Sequence, residues 1–381
     1  MSVTRVRVRT QVLLAVATLV ALGWLFGGRV VRKMPDFEVY WTAASRAARA
    51  EPLYRVEDGH YQFKYLPAFA VIARPMARLS LPAAKTLWFG TSVLLLGALL
   101  WLGVLMLPEL RLSAATLVIV AFIAMAKFYA HELVLGQANL LFAAIVAAAV
   151  LLREREREGV AGALLALAVV VKPYAALFAP WLAVERRRIA LTAMLVTLAA
   201  ALLLPALVYG WNGNIALLEA WWNTVTTTTA PNLGNQDNVS IAAMTARWFG
   251  SGLAARVATV AIVVVLAIGT IEAMIRRTAV RSPHALEAGV LLLLIPLLTP
   301  QGWDYVLLIA TPAVMLLVNY LGELPGVFRV TTAVAIAETA FSLYDLLGRA
   351  GYAAFMSWSP ITLCALAEVA ALISLRARRI A

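Results

Sequence analysis

Cysteine, histidine and charge are all scarce in this chain of 381 residues. A single cysteine, Cys364, excludes an internal disulfide and a thiolate metal cluster. The three histidines, His60, His131 and His284, fall in separate stretches, which argues against a metal held by side chains even though Glu132 adjoins His131. Charged residues make up only 14% of the chain against 63% apolar ones, far from the usage of a soluble domain. There is no Walker loop, no GxGxxG after a strand, no HExxH and no RNA-binding aromatic signature, so the common nucleotide, zinc and RNA chemistries have no foothold. No internal repeat of fixed period is visible, and a transporter built of two matched halves finds no support on that ground.

What the chain has instead is apolar runs separated by arginine clusters. Residues 11–28 carry no charge, follow Arg5, Arg7 and Arg9, and precede no small-residue cleavage site. They read as a retained first span, not a removed signal peptide. The net charge of +12 is dispersed in short clusters, as in cytoplasmic loops, so anionic lipid headgroups suit it better than nucleic acid. The expectation is an all-α, polytopic protein of a bacterial inner membrane, one transmembrane domain over residues 1–381 with about ten full spans, both termini cytoplasmic. After the first span, the runs expected to cross are 83–107, 112–130, 138–152, 191–209, 254–275, 285–298, 303–321, 327–347 and 353–375.

Three stretches break this pattern. Residues 32–82 form the first external segment, with an interfacial helix from Asp36 and a proline-interrupted piece at Pro67, Pro75 and Pro82 that is too short to span. Residues 159–184 lie between arginine clusters that must share one face, and Lys172-Pro173 sits in their middle. They read as a re-entrant hairpin of two half-length arms with its tip at Lys172, Pro173 and Tyr174; the alternative, one long kinked helix, would invert everything downstream. Residues 210–252, rich in Thr, Asn and Gly, read as an external loop or linker without a strong helix pattern.

Directly after the first span comes MPDFEVYW, residues 34–41. A carboxylate there is costly unless paired, wet or functional, so Asp36 is a candidate catalytic base; the competing reading is a solvated acid that starts an amphipathic helix. Under the expected topology the polar residues at the outer span ends converge on one external face: Asp36, Glu38 and Tyr40; Lys64 and Tyr65; Lys127, His131, Glu132, Gln137 and Asn139; Asn235, Gln236, Asp237 and Asn238; Arg247; and Gln301, Trp303, Asp304 and Tyr305. Acids and amides bind sugar hydroxyls in pairs, aromatic faces cover a pyranose, and cations suit a phosphate. A lipid-phosphate-linked sugar needs all three.

At this point a family resemblance is visible. DFEVYWTAA, then PLY and FKYLPAFAVIARP, then GQANLLFAAI, GALLALAVVVKPYAALFAPWL, GNQDNVSIAAMTARWFG and TPQGWDYVLLIATP resemble, in order, the blocks of glycosyltransferase family 87 over about residues 35–315. The resemblance implies a GT-C fold and inverting transfer of mannose or a related hexose from a polyprenyl-phosphate-linked donor to a hydroxyl of an extracytoplasmic glycan or glycolipid. It places the catalytic aspartate in the first external loop, at Asp36. No cofactor is implied, since the lipid-linked sugar phosphate is a substrate. The chain departs from the family's usual pattern at Tyr65-Leu66-Pro67, which bears on the local turn, at Asp304-Tyr305-Val306, which bears on acceptor and sugar identity, and at Asn235-Gln236-Asp237.

The remaining candidates each have two readings. Lys172 pairs with an acid or reaches the donor phosphate. Gln137 and Asn139 cap a helix or bind substrate. Lys64 and Arg247 contact phosphate or snorkel to headgroups. Asp304 contacts substrate or braces a loop. Trp221 and Trp222 read as an interfacial anchor. Tyr40, Tyr65, Asn235 and Gln236 complete the expected substrate contacts, with no metal among them. The rival from another class is a transporter or flippase of lipid-linked sugars, which would share the cavity and the lipid route.

Overall fold

The computed structural model describes residues 21, 23–24, 27–275 and 283–377. Most of the expected first span, with Arg5, Arg7 and Arg9, lies outside them, as do Arg276, Arg277, Arg281, Arg378 and Arg379. The described residues are helical, with no strand among them beyond one isolated bridge between Asn238 and Trp303. Three helices are long and apolar enough to cross a membrane, or five if each of two bent pairs counts once. This is a membrane protein. Several runs expected as full spans form helices of 16 residues or fewer, about 24 Å at most, short of a bilayer core of roughly 30 Å.

The chain divides into two compact units, residues 1–98 with 130–228 and residues 99–129 with 229–381. In the first, α1 (Pro35–Ala48) opens with Pro35 at its first turn and Asp36 beside it, and buries Phe37, Tyr40, Ala44 and Ala47 at helical spacing. A short helix, α2 (Pro67–Ile72), follows, and then the long α3 (Leu81–Met106). The next, α4 (Ala114–Leu135), counts with the second unit up to Tyr129 and ends at Gly136, and α5 (Asn139–Glu154) begins three residues later.

Then come α6 (Glu158–Val171) and α7 (Phe178–Val184), two short apolar helices with Lys172 extended between them. Pro173 lacks the N–H that would continue α6 and disfavours helical geometry at Lys172, so the break falls there. Residues 191–209 were expected as one span. They are instead α8 (Arg188–Leu203) and the start of α9 (Ala206–Thr227), bent by 90° at Pro205. α6 and α8 lie so close that a Cβ on Gly162 would stand 2.0 Å from the Ala190 carbonyl oxygen.

The TVTTTTA run, expected without a helix pattern, is helical through Thr227. Its hydroxyls bond back to carbonyls three or four residues earlier, as Thr226 does to Trp222 and Thr228 to Thr224, which satisfies in place the side chains that usually compete with a helix.

The second unit adds α10 (Thr229–Leu233), α11 (Ile241–Phe249), α12 (Leu253–Ile275), α13 (Pro283–Leu298), α14 (Thr311–Asn319), α15 (Gly326–Phe341), α16 (Tyr344–Ser357) and α17 (Pro360–Ala377). Every residue of α13 from Ala285 to Leu297 is buried, the pattern of a core helix, whereas the apolar window of α12 is only 11% buried and faces outward. Residues 327–347, expected as a single span, break at Ser342 and Leu343, where the chain turns by 106° between α15 and α16.

Candidate active site

The first-unit cluster forms where α1 meets the turn after α4. Gly136 holds φ +70°, and a Cβ there would stand 2.8 Å from Phe37 and 2.9 Å from Met34. Only glycine permits both that backbone and that approach. The Gly136 carbonyl accepts the Trp88 indole N–H at 2.9 Å, Trp88 stacks on Phe37 at 5.5 Å, and the Met34 N–H reaches the Val134 carbonyl at 3.0 Å. The turn is thereby locked onto the start of α1, and the next residue is Gln137.

Gln137 joins Asp36 to two tyrosines. Its Nε2 donates to Asp36 Oδ2 at 2.6 Å, and its Oε1 accepts from Tyr40 at 2.7 Å and Tyr65 at 3.0 Å. The phenols themselves stand 2.5 Å apart, with rings edge to face at 4.9 Å. Because both phenols need an acceptor, the amide oxygen turns to them and the amide N–H to the carboxylate. The amide's orientation is therefore set by three partners at once.

Around this core lie cations. Lys172, buried, places its Nζ 5.4 Å from the centre of the Tyr65 ring, and its charge acts on Asp36. Burial lowers the Lys64 ammonium pKa, and the charge of Asp36 opposes that shift. Burial raises the Asp36 carboxyl above 3.8, opposed first by the Gln137 hydrogen bond and then by Lys172, His60 and His131. Burial likewise pushes both phenols well upward, so they stay protonated donors. The arrangement is a half-buried carboxylate of increased basicity, aimed by an amide, among cations.

Asn139 lies behind this group. Its Nδ2 donates to the buried Glu132 at 2.7 Å, and Glu132 also accepts the Leu140 N–H at 3.0 Å, so this carboxylate caps the start of α5. Glu132 is a buried organiser that the sequence reading placed only on a general polar face. The available signal was an acid seven residues before Asn139 across a single glycine turn. Glu38 points away from the cluster to an ion pair with Lys85, which also donates to the Lys33 carbonyl at 2.7 Å. Trp221 donates to the Lys64 carbonyl at 3.1 Å, while Trp222 is exposed.

The other candidates belong to the second unit. Arg247 donates to the carbonyls of Asn235, Gln236 and Asn238 and to the Ser359 hydroxyl, which commits its guanidinium to bracing the 235–238 segment. That segment is tied to 301–304: the Val239 N–H donates to the Gly302 carbonyl at 2.7 Å and the Asp304 N–H to the Asp237 carbonyl at 2.9 Å. Buried Asp304 pairs with Lys127 at 3.5 Å, and Lys127 also donates to the Ser342 carbonyl and hydroxyl, at the bend between α15 and α16. Asp237 accepts from Tyr352 at 3.2 Å. Asn235, Gln236, Arg247 and Asp304 thus form a second polar cluster.

The model of glycosyltransferase family 87 matches residues 63–300. The match takes in Lys64, Tyr65, Gln137, Asn139, Lys172, Asn235, Gln236 and Arg247; Asp36, Tyr40 and Asp304 lie beyond its ends. Neither a curated protein nor a solved structure matches the chain.

Proposed function

The chain belongs to glycosyltransferase family 87, and from that membership we propose an inverting transfer of mannose or a related hexose from a polyprenyl-phosphate-linked donor to a hydroxyl of an extracytoplasmic glycan or lipid acceptor. Asp36 acts as the general base. The observation that carries this reading is the Asp36–Gln137 contact at 2.6 Å, itself anchored by Tyr40 and Tyr65. A base must be aimed at its proton and hold a pKa suited to taking it, and burial beside an orienting amide supplies both.

In the proposed step the acceptor oxygen attacks the sugar C1 from the face opposite the phosphate and gives its proton to the Asp36 carboxylate. The bond from C1 to the phosphate oxygen breaks, and polyprenyl phosphate leaves with that electron pair. A phosphate leaves without needing a proton, so one carboxylate suffices. Lys172 and Lys64 are the cations placed to stabilise the growing negative charge. No metal or cofactor enters the step. Residues 159–184 act as a re-entrant hairpin that brings Lys172 to depth, in a GT-C arrangement of about ten spans, with the site on the external face of a bacterial inner membrane and both termini cytoplasmic. Within the second unit, Arg247 acts by shaping the segment of Asn235 and Gln236 that it braces.

The test uses purified protein with radiolabelled polyprenyl-phosphate-mannose. Asp36→Asn should bind donor yet lose about 10²- to 10⁴-fold in turnover, the range expected for a general base. Turnover retained with binding intact removes Asp36 from the role. Translocation of the donor by the native protein without any new glycosidic product would sink the transfer reading in favour of a flippase.

A further inference from the structure

Beside the cluster around Asp36, and round the same helix from it, lies an open cavity of about 270 Å³ between α1 and the turn at residues 56–61. Glu38, Thr42 and Arg46 of α1 line one wall; Asp58, Tyr61 and Phe63 line the other. Its volume is near the lower end of small-molecule sites, roughly 300 Å³. Its walls are built. Arg46 grips Asp58 through two hydrogen bonds at 2.5 and 2.8 Å, with both side chains mostly covered, and Glu38 is paired with Lys85.

The chemistry of the lining selects among ligands. Each carboxylate is matched by one cation, so the cavity offers no surplus positive charge to a phosphate. A paired carboxylate still has oxygen lone pairs for hydroxyl donors, and the Thr42 hydroxyl can donate or accept. Tyr61, half exposed, and Phe63 add aromatic faces of the kind that cover a sugar ring. Pro35 also lines the cavity, and Asp36 is the next residue. Lys172, by contrast, acts on Asp36 itself, and neither Lys172 nor Lys64 lines this space.

We propose that this cavity is the acceptor subsite and takes the neutral, hydroxyl-rich sugar headgroup of the acceptor, delivering one hydroxyl to Asp36 while the donor phosphate lies on the side of Lys172. The proposal rests on the transferase reading for its place in the reaction, but binding in the cavity stands without it.

The experiment uses the full chain in lipid nanodiscs, with methyl α-D-mannopyranoside as the acceptor probe and polyprenyl-phosphate-mannose as donor. The probe should raise the Tm of the native protein, and inorganic phosphate at equal concentration should not. Thr42→Phe, which fills the cavity, should abolish the sugar-dependent rise and increase the KM for the probe about tenfold more than the KM for the donor, a loss of about 1.4 kcal/mol of binding. Should Thr42→Phe fail to fold, Tyr61→Ala at an exposed position gives the same KM split. The subsite is overturned if the sugar leaves the native Tm unmoved, if phosphate raises it equally, or if a folded Thr42→Phe keeps both the rise and the KM for the probe. A native protein stabilised by sugar in this cavity but transferring none would count against the transferase reading alone.

Discussion

At the scale of single residues the cluster turns on how Asp36 is charged. Burial raises its carboxyl, and its neighbours pull it back, first Gln137 by a hydrogen bond and then Lys172, His60 and His131 by charge. As a base it works ionised, so the acidic limb of the pH–rate profile should lie above the usual carboxylate value. Gln137→Leu should move that limb to higher pH, and Lys172→Met should move it the same way by less. A limb that stays put in both variants would detach it from Asp36. The same burial has a consequence for stability. A carboxyl whose folded pKa is raised contributes stability that is complete below its unfolded value near 3.8 and is lost as pH rises through the folded pKa. At neutral pH Asp36→Asn should therefore melt no lower than the native protein, with the gap closing as the pH falls toward 4. Thermal melts across that range check this, and they separate a functional carboxylate from one retained for stability.

At the scale of elements, the site depends on one turn. Gly136 brings the end of α4 against Phe37 and Met34 and so presents Gln137 to Asp36. Gly136→Ala adds a methyl at 2.8 Å from Phe37 on a backbone with φ +70°. It should cost about 1–3 kcal/mol in stability and displace Gln137 as well. The signature is a loss of turnover exceeding what the lowered Tm explains, read by assaying well below the melting transition. A variant melting and turning over like the native protein would show that the turn tolerates a side chain and that Gln137 is positioned otherwise. The break between α6 and α7 has a plainer origin, since Pro173 ends one helix and leaves Lys172 extended. The residue pattern alone was enough to locate it.

At the scale of the whole molecule, membrane orientation can be tested with unusual economy because Cys364 is the chain's single cysteine. It is buried and donates to Glu338 at 2.9 Å. Cys364→Ser gives a cysteine-free background in one step. In that background Trp222→Cys, at an exposed position of α9, should react with an impermeant maleimide from outside intact cells. Glu156→Cys, in the arginine-rich turn between α5 and α6, should react only after the membrane is opened. The reverse pattern would invert the orientation and place the Asp36 cluster on the cytoplasmic side.

Composition, apolar runs and ordered blocks determined by themselves that the chain is a helical membrane protein and a member of its family, because these are properties of stretches, written locally. They also marked out Asp36 as a candidate base, and Tyr40, Tyr65 and Gln137 only as residues on one polar face. Tertiary structure decided how those residues divide. It joined Asp36 to Gln137 across a glycine turn, drew Glu38 off to Lys85, set Glu132 to capping α5, and committed Arg247 to carbonyls of its own segment. It also bent two apolar runs that length and hydropathy read as straight. The reason is common to these cases. Which partner a polar group takes depends on contacts between residues far apart in the chain, and the residue types alone leave several partners equally suitable.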